Sequence, residues 1–184
     1  MAIEMVHYTF TVDEYQRMIE TGIIAEGAPV ELIEGKLIRM AAFGGEHIRC
    51  IGLLNRLLVI GAGASLFVSP QGSIRLDIHS EPEPDFAILS SFPKGRIPPL
   101  IDDVLLVVEV SDTSLMYDLN VKAPLYARAG IPEYWVADLT ARRVLRHSVP
   151  IDGRYTVIEE FTGDDRIASL TDPPITIAVA DIFA

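Results

Sequence analysis

The chain has 184 residues, of which 49% are hydrophobic. This length and composition predict one folded domain over residues 1–184 and exclude a disordered or low-complexity polypeptide. The net charge of −11 argues against a general nucleic-acid coat protein, because any polyanion would need a local basic patch.

The cysteine count and the first residues bear on location. The single Cys50 excludes an intramolecular disulfide and an all-cysteine metal site, which suits a reducing compartment. The opening MAIEMVHYTF lacks the pattern of a secretory leader, and no run of 18 apolar residues is present to cross a bilayer. We therefore expect a cytoplasmic protein without a membrane anchor.

The first third of the chain predicts a helix, a hairpin and a second helix. Thr11 and Glu14 form a capping-box pattern, which starts a helix that Gly22 ends. Two apolar runs in residues 30–40 flank Glu34-Gly35-Lys36 and predict a β-hairpin, with Glu31 on its first strand. Helical periodicity over 46–60 predicts a helix that the segment 61–63 ends, with His47 in its first turn.

The middle of the chain predicts short strands separated by turns. The proline-rich segment 92–99 is expected to be an exposed loop. The run VLLVVEV at 104–110 is apolar on both faces except for Glu109, which is typical of a central strand covered on both sides. The β-rich segments are 66–68, 73–78, 85–89 and 104–110.

The last third predicts a helix and three more strands. Residues 118–130 are expected to be helical, with Pro124 in the first turn or at a kink. Strands follow at 133–138, 142–149 and 154–161, and the last two form a C-terminal hairpin around the turn 150–153. The C-terminal hairpin, together with the terminal TDPPITIAVADIFA, is expected to offer apolar surface for a symmetric contact, which favours a homodimer.

Two carboxylates in these predicted strands suggest a metal site. Asp85 begins one strand and Glu109 lies near the end of another, so adjacent strands could bring both side chains to one edge of a sheet. Mg²⁺ and Mn²⁺ prefer oxygen ligands and usually bind through one or two carboxylates. A lysine such as Lys122 near the ion could hold a water or stabilise charge on phosphorus.

Four segments together resemble the Uma-two family, a domain of unknown function that is common in cyanobacteria and has a restriction-endonuclease-like fold. The segments are ELIEG at 31–35, PEPDFAIL at 82–89, VVEVSDTS at 107–114 and DLNVKAPLYARAGIPEYWVAD at 118–138. The resemblance covers about residues 10–161, and its most specific stretch is AGIPEYW. It implies an α/β (α+β) fold with a central mixed β-sheet flanked by helices.

The resemblance also implies a chemistry, that of the PD-(D/E)XK nucleases. Asp85 and Glu109 would bind Mg²⁺ or Mn²⁺ together with the Val110 carbonyl, and Lys122 would assist hydrolysis of DNA by a Mg-dependent endonuclease. Ser111 occupies the position where the general nuclease motif has its lysine, so Lys122 on the following helix would take that role. Glu31 would be a further catalytic carboxylate and His47 an accessory residue.

Structural roles compete with each of these assignments. Asp85 could cap a turn, and Glu109 could form a lone buried salt bridge. Lys122 could form a surface ion pair with Asp118. Glu31 could be a solvated hairpin charge, and His47 could cap or pack. Aromatic residues of the same region are expected to serve the core or a subunit contact rather than stack on bases: Tyr126, Tyr134 and Trp135.

Charge is segregated along the chain, and it leaves two functions open. Residues 81–118 carry two basic and eight acidic side chains, whereas residues 119–150 carry five basic and two acidic ones. The arginines at 142, 143 and 146 could steer nucleic acid locally, or could be an ordinary solvated face. The leading hypothesis is a metal-dependent nuclease, and the alternative is a non-catalytic binding or assembly module that retains the nuclease fold.

Overall fold

The computed structural model describes residues 7–40, 44–92 and 98–184, which form two compact units. The first unit comprises the described part of Met1–Ala42 together with Arg75–Pro82, and the second comprises the described part of Phe43–Ile74 and Glu83–Ala184. The predicted loop at 92–99 falls mostly on 93–97, outside the described residues. The single domain over 1–184 stays a prediction.

The first unit begins with the predicted capped helix, α1 (Val12–Glu20). The Thr11 hydroxyl accepts a hydrogen bond from the Glu14 backbone N–H at 3.2 Å, and the Glu14 carboxylate accepts one from the Thr11 N–H at 2.8 Å. These two bonds satisfy donors that the first turn leaves without helical partners. The capping-box prediction is therefore confirmed, and α1 buries Val12 and Tyr15 against Leu32.

The predicted N-terminal hairpin is also confirmed. Strands β1 (Val30–Ile33) and β2 (Lys36–Arg39) pair antiparallel around a two-residue turn. The turn residues Glu34 and Gly35 have φ of 50° and 73°, the left-handed values that a tight hairpin turn of this kind requires.

Gly35 is required for a second reason, and its replacement gives a testable prediction. A Cβ at this position would lie 2.6 Å from Thr9 Cβ, in addition to the strain of the positive φ. We expect Gly35→Ala to destabilise the hairpin by more than about 1 kcal/mol. Gly27→Ala is the matched control, because Gly27 has the same φ of 73° and nothing within 4 Å of its Cβ position. Amide hydrogen exchange of β1 and β2 measures both, and equal effects would contradict the close approach to Thr9.

The strand predicted at 73–78 is wrong. The alternation of apolar residues in this segment corresponds to buried side chains only at Ile74 and Leu76, since Ile78 is 63% exposed. The Leu76 N–H donates to the Ser80 carbonyl at 3.0 Å, and the Asp77 carboxylate accepts from the His79 N–H at 2.7 Å. The backbone groups are thus satisfied by a turn instead of a neighbouring strand.

The second unit contains the predicted long helix and central mixed sheet, which has six strands. Helix α2 (Gly45–Ala62) ends at Gly63, whose φ is 57°. The spatial order of the strands is β3-β4-β5-β6-β7-β8, and only β5 and β6 are parallel among these neighbours. The strands are β3 (Phe67–Pro70), β4 (Phe86–Leu89), β5 (Val104–Ser111), β6 (Glu133–Asp138), β7 (Arg143–Ile151) and β8 (Arg154–Thr162); a 3₁₀ turn (Ile101–Asp103) precedes β5.

The two faces of the sheet have different roles because side chains alternate along each strand. One face packs its apolar residues, Trp135 among them, against α2 in the main core. Glu109 and Ser111 alternate with Val108 and Val110 of that core, so they lie on the opposite face. The central strand prediction for 104–110 is confirmed, since β5 is buried along most of its length.

The predicted helix at 118–130 is irregular. It begins with the short α3 (Leu115–Tyr117), continues through a π-helical segment (Asp118–Lys122), here called the π-turn, and ends as α4 (Ala123–Arg128). Pro124 lies in the first turn of α4, one of the two predicted outcomes. Single π-turns inside helices occur frequently at functional sites.

The C-terminal residues differ from the sequence prediction. After the β7–β8 hairpin the chain forms β9 (Arg166–Ala168), β10 (Thr176–Ala178) and α5 (Val179–Ile182). Ile177, Val179 and Ile182 are buried in the main core, so the terminal segment does not offer these side chains for a symmetric contact. The β7–β8 hairpin does expose apolar side chains, those of Val149, Ile151 and Ile158. The homodimer stays a prediction. Within the described part of the chain, every helix is too short or too polar to span a membrane.

Candidate active site

Strand pairing brings Asp85 and Glu109 together in the second unit. Phe86 of β4 lies opposite Val108 of β5 in the antiparallel register, which places Asp85 beside Glu109. The Val110 N–H donates to Asp85 Oδ2 at 2.7 Å, and the Asp85 N–H donates to Glu109 Oε2 at 3.3 Å. The two carboxylates are therefore held in a defined relation by backbone donors from both strands.

The other oxygen of Glu109 is held by the helix. Lys122 Nζ lies 2.8 Å from Glu109 Oε1, and the Tyr126 hydroxyl donates to the same oxygen at 2.9 Å. The Lys122 and Glu109 side chains are only 7% and 6% exposed. The three residues thus form a buried, charge-assisted group in which ammonium and phenol share one carboxylate oxygen.

The environment of Glu109 favours the protonated form of its carboxyl group. Burial raises the pKa of Glu109 above its ordinary value, the Lys122 ammonium opposes this shift, and the negative charges of Asp85 and Asp118 add to it. The lysine thus offsets only part of the combined effect of burial and the neighbouring carboxylates. An additional positive charge would favour the ionised form.

Asp118 joins the same helix face to the end of β5. Its Oδ2 accepts hydrogen bonds from the hydroxyls of Ser111 and Ser114, each at 2.7 Å. Burial raises the Asp118 pKa, while the two hydroxyls lower it. Asp118, Lys122 and Tyr126 follow at intervals of four residues, so one side of the helical segment faces the strand end.

The remaining predicted site residues have different positions. His47, in the first turn of α2, places Nε2 3.4 Å from Asp85 Oδ1 and so adjoins the carboxylate pair. Glu31 belongs to the first unit, where it lies on β1 and is 2% exposed. Its interpretation as a solvated hairpin charge is therefore wrong.

Burial also decides between two interpretations of other side chains. Lys122 is buried and pairs with Glu109, so the exposed surface ion pair with Asp118 is wrong. Tyr126, Tyr134 and Trp135 are fully buried, which agrees with a core role. Tyr126 and Tyr134 also pack with ring centroids 5.1 Å apart, and this contact fixes the phenol that reaches Glu109.

The arginines predicted to steer nucleic acid are engaged within the second unit. Arg143 pairs with Asp138 at 3.0 Å and Glu160 at 2.8 Å. Arg146 pairs with Glu159 and lies over the Phe161 ring. Arg142 donates to the Phe183 carbonyl. Carboxylates thus compensate much of the charge of this segment, which weakens it as a steering surface.

The donor set fits a hard divalent cation. Two carboxylates lie side by side with a net excess of negative charge, and Mg²⁺ commonly binds through one or two carboxylates while keeping waters. Among residues 7–40, 44–92 and 98–184, no group of three or more His, Cys, Asp or Glu side chains has the geometry to hold a metal ion. A cation bound between these two carboxylates would take its remaining ligands from water, unlike a cation in a closed protein cage.

Sequence reasoning missed three residues of this cluster. The sequence predicts Asp118 only as a surface partner of Lys122 and Tyr126 only as a residue of the core or of a subunit contact, and it indicates no role for Ser114. The regular spacing of Asp118, Lys122 and Tyr126 was the available signal, because it places three side chains with polar end groups on one face of a helix. If that face is buried, these polar groups need hydrogen-bond partners on the strand that the helix covers.

The central sheet is mixed and is flanked by helices, and an acidic pair and a lysine meet at the end of one strand. This is the organisation of a restriction-endonuclease-like protein. A solved structure, described as "a putative nuclease belonging to DUF820 from Anabaena variabilis", shares this fold with a TM-score of 0.69 and 16% identity, covering 95% of this chain and 97% of that one.

The chain belongs to the Uma2 family, described as "Putative restriction endonuclease", whose model matches residues 12–180. This is the Uma-two family that the sequence motifs resemble, so the predicted family and fold class are confirmed. No match was found among the curated proteins.

Proposed function

We propose that this protein is a metal-dependent nuclease that hydrolyses phosphodiester bonds, with DNA as its substrate. The observation that carries the proposal is the buried cluster in which Asp85, Glu109 and Lys122 meet at the edge between β4 and β5. These are the two carboxylates and the lysine that a nuclease of the PD-(D/E)XK type requires. Membership of the Uma2 family supports the same activity.

Asp85 and Glu109, with the Val110 carbonyl, would hold Mg²⁺ or Mn²⁺. When bound, the cation supplies a Lewis acid that polarises the phosphate and makes water a better nucleophile. Asp85 Oδ2 is fixed by the Val110 N–H, so its carboxylate keeps one orientation when substrate arrives. His47 adjoins Asp85 Oδ1 and would help to orient it.

Lys122 would act on the phosphate itself. Its ammonium is fixed beside Glu109 in a buried environment, where a positive charge stabilises the negative charge that develops on phosphorus more strongly than in water. The catalytic assignment of Glu31, which lies on β1 of the first unit, stays a prediction. We also propose a homodimer, because cleavage of both strands of a duplex needs two sites.

The alternative is a binding or assembly module that kept the fold. The observations that favour it are the net charge of −11 and the pairing of Arg143 and Arg146 with carboxylates. Such a module would bind a divalent cation or a partner without cleaving nucleic acid.

Cleavage assays test the proposal directly. Purified protein is incubated with supercoiled plasmid, linear duplex and single-stranded RNA in Mg²⁺ or Mn²⁺, with EDTA as the control. We expect cation-dependent nicking or cutting of DNA that weakens steeply as salt rises. Titration of Mn²⁺ by calorimetry separates the alternatives. Binding without cleavage of any substrate would favour the module, and no binding would contradict the metal site.

Tyr126→Phe gives a test of the environment of Glu109. The change removes one of the two donors to Oε1, so we expect Mn²⁺ affinity to fall by about tenfold, as is usual when a group that orients a metal ligand is lost. Tyr155→Phe is the matched control, because it deletes a buried hydroxyl that donates to the Ile131 carbonyl at 3.0 Å instead. Calorimetry should show the loss for Tyr126→Phe alone.

A further inference from the structure

The end of β5 carries a polar group that the proposed chemistry does not use. Ser111 stands where the general nuclease motif has lysine, on the same strand face as Glu109. Its hydroxyl donates to Asp118 Oδ2 at 2.7 Å, and the Ser114 hydroxyl donates to the same oxygen at the same distance. We call these three residues the serine–aspartate lock.

The lock joins the strand to the π-turn. Asp118 is the first residue of the π-turn and Lys122 is its last. The Asp118 N–H also donates to the Ser114 carbonyl at 3.0 Å, so backbone and side chain tie the start of the turn to the same residue. The serine–aspartate lock therefore fixes the start of the π-turn, and the π-turn determines the position of the Lys122 side chain.

Burial increases the effect of losing either of these hydrogen bonds to Asp118. Asp118 is 3% exposed and Ser111 is fully buried, so water cannot readily replace a lost hydroxyl. The Asp118 side chain does not belong to any three-member metal-binding cluster among the described residues. Its Oδ2 instead accepts two strong hydroxyl hydrogen bonds at the end of the strand.

We propose that Asp118, held by Ser111 and Ser114, is a positioning residue that places Lys122 against Glu109. Ser111 stands where the general nuclease motif has its lysine, and it anchors the helical segment that carries Lys122. The inference rests on the proposed function for its catalytic meaning. The placement of Lys122 itself can be measured without any activity.

Competitive acylation of lysines measures that placement. The chain has three lysines, Lys36, Lys94 and Lys122, so each modified peptide can be assigned by mass spectrometry. In the wild type the buried, paired Lys122 should react far more slowly than Lys36. In Ser111→Ala/Ser114→Ala we expect the reactivity of Lys122 relative to Lys36 to rise by about tenfold, the factor that one lost hydrogen bond to a charged group can produce.

Two controls make the result specific. Ser114→Thr keeps the hydroxyl and should retain the protection of Lys122. Ser169→Ala removes a buried hydroxyl bonded to Thr171 and to the Ile175 N–H, and should leave Lys122 protected. Unchanged protection in the double variant would overturn the proposal. An equal rise in Ser169→Ala would also overturn it, because general loosening would then explain the effect.

Kinetics and metal binding separate this inference from the proposed function. If the wild type cleaves DNA, the double variant should lower kcat with little change in KM, and calorimetry should give an unchanged affinity for Mn²⁺. If the wild type binds no metal and cuts no substrate, the nuclease proposal fails. Lysine reactivity then still decides whether the serine–aspartate lock positions Lys122.

Discussion

Asp85→Asn is expected to abolish cation-dependent cleavage, with a loss of about 10³-fold or more, and to weaken Mn²⁺ binding strongly. The substitution removes the charge of one of two carboxylate ligands. It keeps an oxygen that can accept the Val110 N–H, which donates to Asp85 Oδ2 at 2.7 Å, so the pairing of β4 and β5 should survive. Plasmid cleavage rates and Mn²⁺ calorimetry measure the two effects.

The matched control for this change is Asp165→Asn. The Asp165 carboxylate also accepts a backbone N–H, that of Thr162 at 2.8 Å, but it lies in the turn between β8 and β9. The control should cleave and bind Mn²⁺ as the wild type does. If Asp85→Asn did so as well, Asp85 would not be a metal ligand.

Glu109→Gln is expected to cost about 3–5 kcal/mol of the free energy of unfolding in the absence of metal. The change leaves the Lys122 ammonium buried without the Glu109 carboxylate. Lys122→Met should cost less, because burial raises the pKa of Glu109 and the variant lacks the ammonium that opposes this shift, so the carboxyl group left behind can take up a proton. The double variant should recover much of the loss of Glu109→Gln, since it removes the ammonium and the carboxylate together.

Urea unfolding followed by tryptophan fluorescence measures this cycle. The single Trp135 lies in the core of the second unit and reports on the unit that holds the pair. Glu160→Gln is the control, because it breaks an ion pair of the same 2.8 Å length with Arg143 at a half-exposed position. We expect a cost below about 1 kcal/mol there. Equal costs at the two sites would mean that burial does not strengthen the Lys122–Glu109 interaction.

Local patterns predicted the elements that local chemistry determines. The capping box at Thr11, the hairpin turn at Glu34-Gly35 and the strand 133–138 needed no distant partner to be recognised. The predicted strand at 73–78 is wrong because alternating burial there accompanies a turn instead of a ladder. Strands β9 and β10 were missed because three-residue strands leave almost no periodicity to detect.

The site divides in the same way. The pairing of Asp85 with Glu109 could be predicted from the sequence. A buried carboxylate in an apolar strand requires a polar or charged partner, and a neighbouring predicted strand contains Asp85. The roles of Tyr126 and Asp118 depend on which side of the helical segment faces β5. Their spacing of four residues from Lys122 places all three on one side of a helix, but no local pattern shows which strand that side covers.

The π-turn makes the number of residues, and not only their identity, a constraint on this part of the protein. Each residue of a helix turns the chain by about 100°, so deleting one residue between Asp118 and Lys122 would move the ammonium to another side of the helix while leaving every functional residue present. The number of residues between the end of β5 and Lys122 is therefore as much a part of the site as the lysine itself.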